Sequence, residues 1–448
     1  MKKYIKSAVV MLLAFIMVFS IVACSKPPMV SQEELEIAEK QGVAEGEVTF
    51  TYGPAASSAD YRAAADRFVS AFESKYPDVK VETDYTATSD TRIAAADIGD
   101  VFYFSEDQTY KYAVSDKALL PLDGFVEKFG IDLSDVYSGI YALGLVNGRL
   151  YFVPRDYNHM ALIYNKTAVT EAGVSESVKP EWTWEEFQVL CEQLYSEDYY
   201  PVELNLGYSP VYTAFFEAYT YRNSWCSTSE KKITFIDEEG SILRAVKEAL
   251  DLAKKDYAKF PGINDTQEGL QNRDAIFTTC VYPQVQTYGK NFDALDVEWD
   301  VINMPLFENP SFGCGASGVG VFSRTQNVTG AAALALFFFT PEGQKAFNAG
   351  QGGSVPLLKS IDAEGYDAWK YPDDENWSTK NWDAFVYKAD TASTPGQVNC
   401  RMPVEVASAI DTDIKKILGQ DLAGTTSYLD GFATLEKKCN ELWGLLTA

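Results

Sequence analysis

A single histidine, His159, among 448 residues bounds the chemistry open to this chain. It rules out a multi-histidine metal centre and leaves any histidine-dependent triad with one candidate base. His159 lies in Tyr157-Asn158-His159-Met160-Ala161-Leu162, which reads as a strand or strand entry, so a structural or hinge-lining role is expected. Acidic side chains number 64, and carboxylate pairs arise among so many by chance. The adjacent ones have structural readings: Glu185-Glu186 open a helix and Glu238-Glu239 precede a turn. Paired-carboxylate sugar hydrolysis needs only two such groups, but no signature of it stands out. Beyond Cys24, six cysteines (Cys191, Cys226, Cys280, Cys314, Cys400 and Cys439) are far apart, without Cys-x-x-Cys or zinc-ligand spacing. Disulfides and buried thiols both stay open for them. No metal, cofactor or catalytic residue is expected.

The elements that would position these residues alternate. Val48-Thr49-Phe50-Thr51-Tyr52 is a short β-prone run ending at a Gly53-Pro54 turn. A helix follows, with apolar residues at Tyr61, Ala64, Ala65, Phe68 and Phe72 on one face and Ser57-x-x-Asp60 near a capping box. Val79 to Tyr85 alternates as a strand, and Asp100-Val101-Phe102-Tyr103-Phe104 reads as a buried one. Strand, helix, strand, strand predicts an α/β sheet with helical crossovers. Thr183 and Glu186 predict a capped helix start, with Trp182 and Phe187 at the staple positions. Thr340-Pro341-Glu342 predicts another, after an apolar helix from Ala331 to Phe339.

The start of the chain is basic, Met1-Lys2-Lys3-Tyr4-Ile5-Lys6, followed by an uncharged, mostly apolar stretch from Ser7 to Val22. With Ile21-Val22-Ala23-Cys24 after it, this resembles a bacterial lipoprotein signal peptide and its lipobox. The resemblance implies removal of residues 1–23 and lipidation of Cys24. The mature chain would then be anchored to the cell membrane on its extracytoplasmic side. That removal takes three lysines and no acids, moving the net charge from −26 to −29. Such an acidic chain repels nucleic acid and anionic lipid. Residues 24–46 are polar and acidic, and a flexible tether is expected there. The remaining length suffices for two domains.

Four stretches, in this order, resemble the extracellular solute-binding proteins of bacterial ABC importers, the class that includes maltose-binding protein. The first ends Phe72-Glu73-Ser74-Lys75-Tyr76-Pro77-Asp78-Val79, and the second is Gly99-Asp100-Val101-Phe102-Tyr103 with Leu119-Leu120-Pro121-Leu122. The third runs from Tyr157 through Ile163-Tyr164-Asn165-Lys166 to Trp182-Thr183-Trp184-Glu185-Glu186-Phe187. The fourth is Thr340-Pro341-Glu342-Gly343-Gln344-Lys345-Ala346-Phe347 with Gly353-Ser354-Val355-Pro356. Two departures stand against the family pattern: Thr88 to Asp97 is shorter than its usual second helix, and Arg273 to Phe277 lacks a usual glycine.

The resemblance implies a two-lobed α/β fold of the periplasmic-binding-protein type, with the ligand cleft between lobes joined by hinge crossovers. The N-lobe would comprise 47–154 plus 313–352, and the C-lobe 155–312 plus 353–448. It implies a monomer that captures a small solute by hinge closure, without catalysis, and delivers it to the membrane permease. The 27 tyrosines and eight tryptophans favour a carbohydrate within this class, since aromatic faces stack on sugar rings. A polyamine or other non-sugar solute, an exported glycoside hydrolase and a surface adhesion lipoprotein are the rival readings. Ligand-binding candidates are Tyr52, Ser57 and Ser58 after the first strand, and Glu106 and Asp107 after the Val101–Phe104 strand, with Asp107 preferred. Tyr157 and Asn158 are expected at the lobe crossover, and Trp225, Tyr282, Gln284 and Arg401 in the second lobe. Gly313 and Gly315 would permit close backbone approach.

Overall fold

Ser31 and Glu34 form a capping box, the Glu34 N–H donating to Ser31 Oγ at 3.2 Å and the Ser31 N–H to Glu34 Oε2 at 2.8 Å. They start helix α1 (Gln32–Gln41), whose Leu35 is buried, so the expectation of a flexible tether over 24–46 is corrected. Sparse apolar content suggested disorder there, but Leu35 is buried, Val30, Ala38 and Ala44 pack against the core, and Lys128 donates to the Glu39 carbonyl at 3.1 Å. The computed structural model describes residues 26–221, 224–264, 275–350, 353–396 and 401–446, and Cys24 and Cys400 lie outside them.

The first sheet begins with β1 (Gly46–Thr51), β2 (Val79–Asp84) and β3 (Val101–Ser105), with β1 parallel to both neighbours. Helix α2 (Ala59–Lys75) connects β1 to β2 and buries Ala64, Ala65, Phe68 and Phe72 at the predicted spacing. Its cap is Ser58, one residue later than expected. Gly53–Ala56 forms a short 3-10 turn whose Pro54 carbonyl takes the Ser57 hydroxyl at 3.2 Å, while the Tyr61 N–H donates to Ser58 Oγ. The reduced element in Thr88–Asp97 is a six-residue helix, Asp90–Ala95. Strand β4 (Val153–Pro154) closes this part of the chain.

After β5 (Asn158–His159), the chain builds a second sheet from β6 (Ala161–Asn165), β7 (Tyr200–Glu203), β8 (Ala258–Lys259), β9 (Ala275–Cys280) and β10 (Trp299–Asn303). Its order is β8-β7-β9-β6-β10, with β6 antiparallel to both neighbours. Every residue of β6 and β9 is buried, as strands covered on both faces require. Helices α3 (Trp184–Leu194), α4 (Ser209–Glu217), α5 (Arg244–Lys254) and α6 (Tyr282–Ala294) cover it. The Thr183–Glu186 capping box forms as predicted, and the Trp182 and Phe187 rings meet at 5.2 Å.

Strand β11 (Phe312–Gly315) then leads back to β12 (Ser317–Val321), which inserts antiparallel between β3 and β4 and gives the first sheet its order β2-β1-β3-β12-β4. Helices α7 (Val328–Leu336) and α8 (Pro341–Phe347) return to the first lobe, α8 capped by Thr340 as predicted. Strand β13 (Ser393–Pro395) pairs with β11, and β11 with β5, forming a three-stranded sheet between the lobes. The chain ends in α9 (Val404–Leu422) and α10 (Tyr428–Leu446). No helix among the described residues is long and apolar enough to cross a membrane.

Residues 353–361, expected in the second lobe, lie against the first instead. Val355 bridges to Tyr157 and Leu358 to Val136, and the Ser360 N–H donates to Asp135 Oδ1 at 2.7 Å. Further along, the segment crosses to the second sheet, where the Asn381 N–H donates to Asp300 Oδ1 at 2.7 Å. It therefore straps the lobes together. His159 has the structural position expected of it, fully buried beside Tyr157 and Phe312, and burial lowers its pKa to about 3. Cys191, Cys280 and Cys439 are buried free thiols.

Candidate ligand-binding cleft

Pro154-Arg155-Asp156-Tyr157 carries the chain out of the first sheet, and it places a charged pair where neighbouring residues are apolar. Arg155 is only 6% exposed, and its Nε lies 3.2 Å from Asp156 Oδ2. Four rings surround the guanidinium: Tyr103, Tyr52 and Phe347 at 5.1–5.4 Å from its carbon, and Tyr61 at 5.8 Å. Asp156 Oδ1 accepts from the Ser317 N–H at 3.1 Å and from Asn158 Nδ2 at 3.4 Å. Burial disfavours both charges, lowering the Arg155 pKa and raising that of Asp156, and their pairing opposes both shifts. Arg155 Nη1 has no acceptor among the described residues, and neither Ser354 Oγ nor Tyr52 Oη has a partner there.

Arg155 and Asp156 line a cleft of about 440 Å³. Ser58, Asp60 and Tyr61, at the start of α2, form its first-lobe wall. Tyr282, Pro283, Gln286 and Lys290, at the start of α6, form the facing wall. The strap contributes Ser354, Tyr371 and Trp377. These aromatic walls are held in place by hydrogen bonds. Tyr282 Oη donates to the Trp369 carbonyl at 2.5 Å, Gln286 Nε2 to Tyr371 Oη at 2.7 Å, and Trp377 Nε1 to Asp293 Oδ2 at 2.9 Å. The Tyr282 and Tyr371 rings are near-parallel at 6.2 Å. A second inter-lobe cluster sits at the end of β3. Burial lifts the Glu106 carboxyl to about 8, and the charge of Asp107 adds to burial in raising that of Asp411 on α9.

Of the expected ligand-binding residues, Ser58 and Tyr282 line the cleft, and Asn158 braces Asp156 beside it. Tyr52 stands behind the lining, in the cage around Arg155. Asp107 faces the second lobe near Asp411 but does not line this cleft. The others are placed elsewhere. Ser57 serves the 3-10 turn, and Gln284 Oε1 accepts the Val281 N–H at 3.0 Å to cap α6. Tyr157 is fully buried between Tyr137 and His159, its hydroxyl 2.5 Å from Ser393 Oγ in the connecting sheet. Trp225 is fully buried beneath Phe216 and Phe235 and donates to Glu217 at 3.2 Å. Arg401 crosses Trp225 and donates to the Pro395 carbonyl at 2.7 Å, lining a separate groove with residues 226–229. Sequence reasoning missed Tyr61 as a lining residue, and Arg155, Asp156, Gln286, Lys290, Ser354 and Tyr371 altogether. A charged pair inside an apolar crossover was the one available signal. Nothing local marks the strap residues, which arrive about 200 positions or more after Arg155 in the chain.

A cleft walled by two α/β lobes, with the strands joining those lobes beside it, is the arrangement of a two-lobed binding protein. The chain belongs to the bacterial extracellular solute-binding protein family, whose pattern matches residues 55–345. Among solved structures, the sugar-binding protein MalE of Xanthomonas citri is similar at a TM-score of 0.69 and 17% identity, over 90% of this chain and 98% of that one. The cyclic alpha-maltosyl-1,6-maltose binding protein of Arthrobacter globiformis gives 0.69 and 18%, over 89% and 99%. The Listeria monocytogenes ABC substrate-binding protein Lmo0181, solved with cycloalternan, gives 0.64 and 18%, over 89% and 99%. No curated protein sequence matches the chain significantly.

Proposed function

We propose that this chain is the substrate-binding subunit of an ABC importer and that it captures a carbohydrate in the cleft between its lobes. The observation that carries the reading is the pairing of aromatic faces from both walls (Tyr61, Tyr282, Tyr371 and Trp377) with a few polar groups held in place between them. Aromatic faces suit the apolar faces of pyranose rings, and Arg155, Gln286 and Ser354 suit hydroxyls. The sugar-binding neighbours support the same ligand class. Ligand bridging the two walls favours the closed state, which the permease would recognise, to the extent that it binds that state better. The protein acts as a monomer without turnover, and lipidated Cys24 holds it to the outer side of the cell membrane.

Purified protein is expected to gain about 2.7 kcal/mol of stability when a cognate oligosaccharide is present at 100 times its dissociation constant. Thermal denaturation against a panel of oligosaccharides and polyamines checks this. A response to polyamines alone overturns the sugar reading, and release of reducing sugar from an oligosaccharide overturns the binding-only reading. The Cys24→Ala variant is expected to leave the membrane fraction for the medium or periplasm. Its retention in washed membranes would refute the lipid anchor.

A further inference from the structure

The chain ahead of the first sheet is fastened to the first lobe from Lys26 onward. Lys26 Nζ donates to the Ala94 carbonyl, Arg324 Nη1 to the Pro27 carbonyl at 2.6 Å, and the Val30 N–H to the Ser323 carbonyl at 2.7 Å. Lys128 Nζ holds the Glu39 carbonyl near the end of α1. A Cβ at Gly42 would lie 2.1 Å from Thr329 Oγ1, so that helix end lies flush against α7. Asn327 Nδ2 then donates to the carbonyls of Glu45 and Glu47 at 2.7 and 3.0 Å. Contacts recur from residue 26 to residue 47, and the segment supplies no slack.

Only Ser25 separates Lys26 from Cys24. Two residues span at most about 7 Å, so a lipid on Cys24 must enter the bilayer beside this docked start. A flexible chain running from residue 24 to residue 46 would have reached roughly 25 Å. Ser323 and Arg324 follow β12 beyond Val321, whereas Ser317 at its other end donates its N–H to Asp156 at the cleft. Strand rise over those five residues puts the docked start roughly 16 Å from the cleft end of the sheet.

Met29, Ile93, Lys117 and Arg324 line a groove at this start, with Lys111 between Asp90 and Asp116. Met29 is apolar yet 48% exposed. The glutamates of α1 (Glu33, Glu34, Glu36 and Glu39) come next along the chain and oppose an anionic surface. Contact with lipid is therefore set by the short leash and not by charge attraction.

We infer that the first lobe is the membrane-facing lobe: the groove around Met29 and Lys117 rests against phospholipid headgroups, and the second lobe is the one free to swing. The inference rests on the lipid anchor proposed above and adds the orientation that the anchor imposes.

The mature lipidated protein on phosphatidylcholine–phosphatidylglycerol vesicles with headgroup nitroxides tests this. A fluorophore is attached in Lys117→Cys in the first lobe, or in Lys437→Cys on the exposed side of α10 in the second. The unsubstituted protein gives the labelling background, and thermal midpoints confirm folding. The label at position 117 is expected to lose most of its emission and the label at 437 almost none. A Gly-Ser insert of roughly 20 residues between Ser25 and Lys26, reaching about 25 Å, should restore most of the emission at 117 while the protein stays on the vesicles. Equal quenching at both positions, or stronger quenching at 437, overturns the inference and leaves the anchor standing. Quenching at 117 that survives the insert unchanged overturns it too, because the leash would not be what holds the groove down. Protein that washes off the vesicles overturns the anchor reading itself and the inference with it.

Discussion

Valine in place of Gly313 is expected to cost about 3 kcal/mol or more of folding stability, read as a fall in the denaturation midpoint. A Cβ at Gly313 would lie 1.7 Å from the Pro210 carbonyl oxygen and 2.4 Å from its carbon. All the nearest atoms are backbone at the start of α4, so no side chain can rotate away. Gly396 is pressed against the same proline, with its Cβ position 2.8 Å from Pro210 Cα. Pro210 is thus gripped between β11 and the residue after β13, two strands of the sheet that joins the lobes. Overpacking costs 1–3 kcal/mol where neighbours can yield, and here they are rigid. The substitution should also alter ligand affinity, because relief requires moving a connecting strand. Gly444→Ala, in α10 with nothing within 4 Å, is the matched control and should be neutral or slightly stabilising. A Gly313→Val protein with an unchanged midpoint would contradict this packing.

Raising the pH from 6.5 to 8 should destabilise the protein by about 2 kcal/mol through Glu106 alone. Glu106 is 3% exposed, and burial raises its carboxyl from 4.5 to about 8. Between those values the folded state holds a proton that the unfolded chain has released. Increasing pH therefore favours unfolding, and the loss is complete only above about 8. His159 acts in the opposite sense below its ordinary value of 6.5. There the unfolded chain takes a proton that the buried imidazole refuses until about pH 3, so acid favours unfolding. The two slopes oppose each other between 4.5 and 6.5, which leaves the Glu106 contribution uncovered only on the alkaline side. Chemical denaturation at pH 6.5 and 8 checks the difference, and Glu106→Gln should flatten it. An identical slope in the variant would assign the effect to other groups.

Both residues were visible in the sequence, but their roles were not equally legible. Gly313 and Gly315 could be read as sites of close approach, and the structure puts Pro210 against one and Glu106 Oε1 2.7 Å from the Cβ position of the other. Glu106 and Asp107 could be placed at the cleft end of a strand, because a buried apolar run ending in acids marks where a strand leaves the core. Which of the two is buried depends on β12 and its preceding turn, more than 200 residues later. Trp225 shows the converse: a tryptophan in a polar stretch looks available to a ligand, yet Phe216, Phe235 and the Arg401 guanidinium cover it.

Local order set the strands, the helix starts and the α/β class, while the two lobes came from the family resemblance. Their signals are capping boxes, staples and period-two or 3.6-residue patterns, which act within a few residues. Motifs in sequence also set the family, and with it the expectation of a cleft. Only the tertiary structure decided what lines that cleft. Arg155 is caged by rings drawn from the residue after β1, from α2, from β3 and from α8, and the facing wall combines α6 with a strap that enters at residue 353. Neither the cage nor the wall exists in any short segment. Each arises because burying the apolar faces of two sheets brings their strand ends together, with Arg155 among the residues that line the cleft between them.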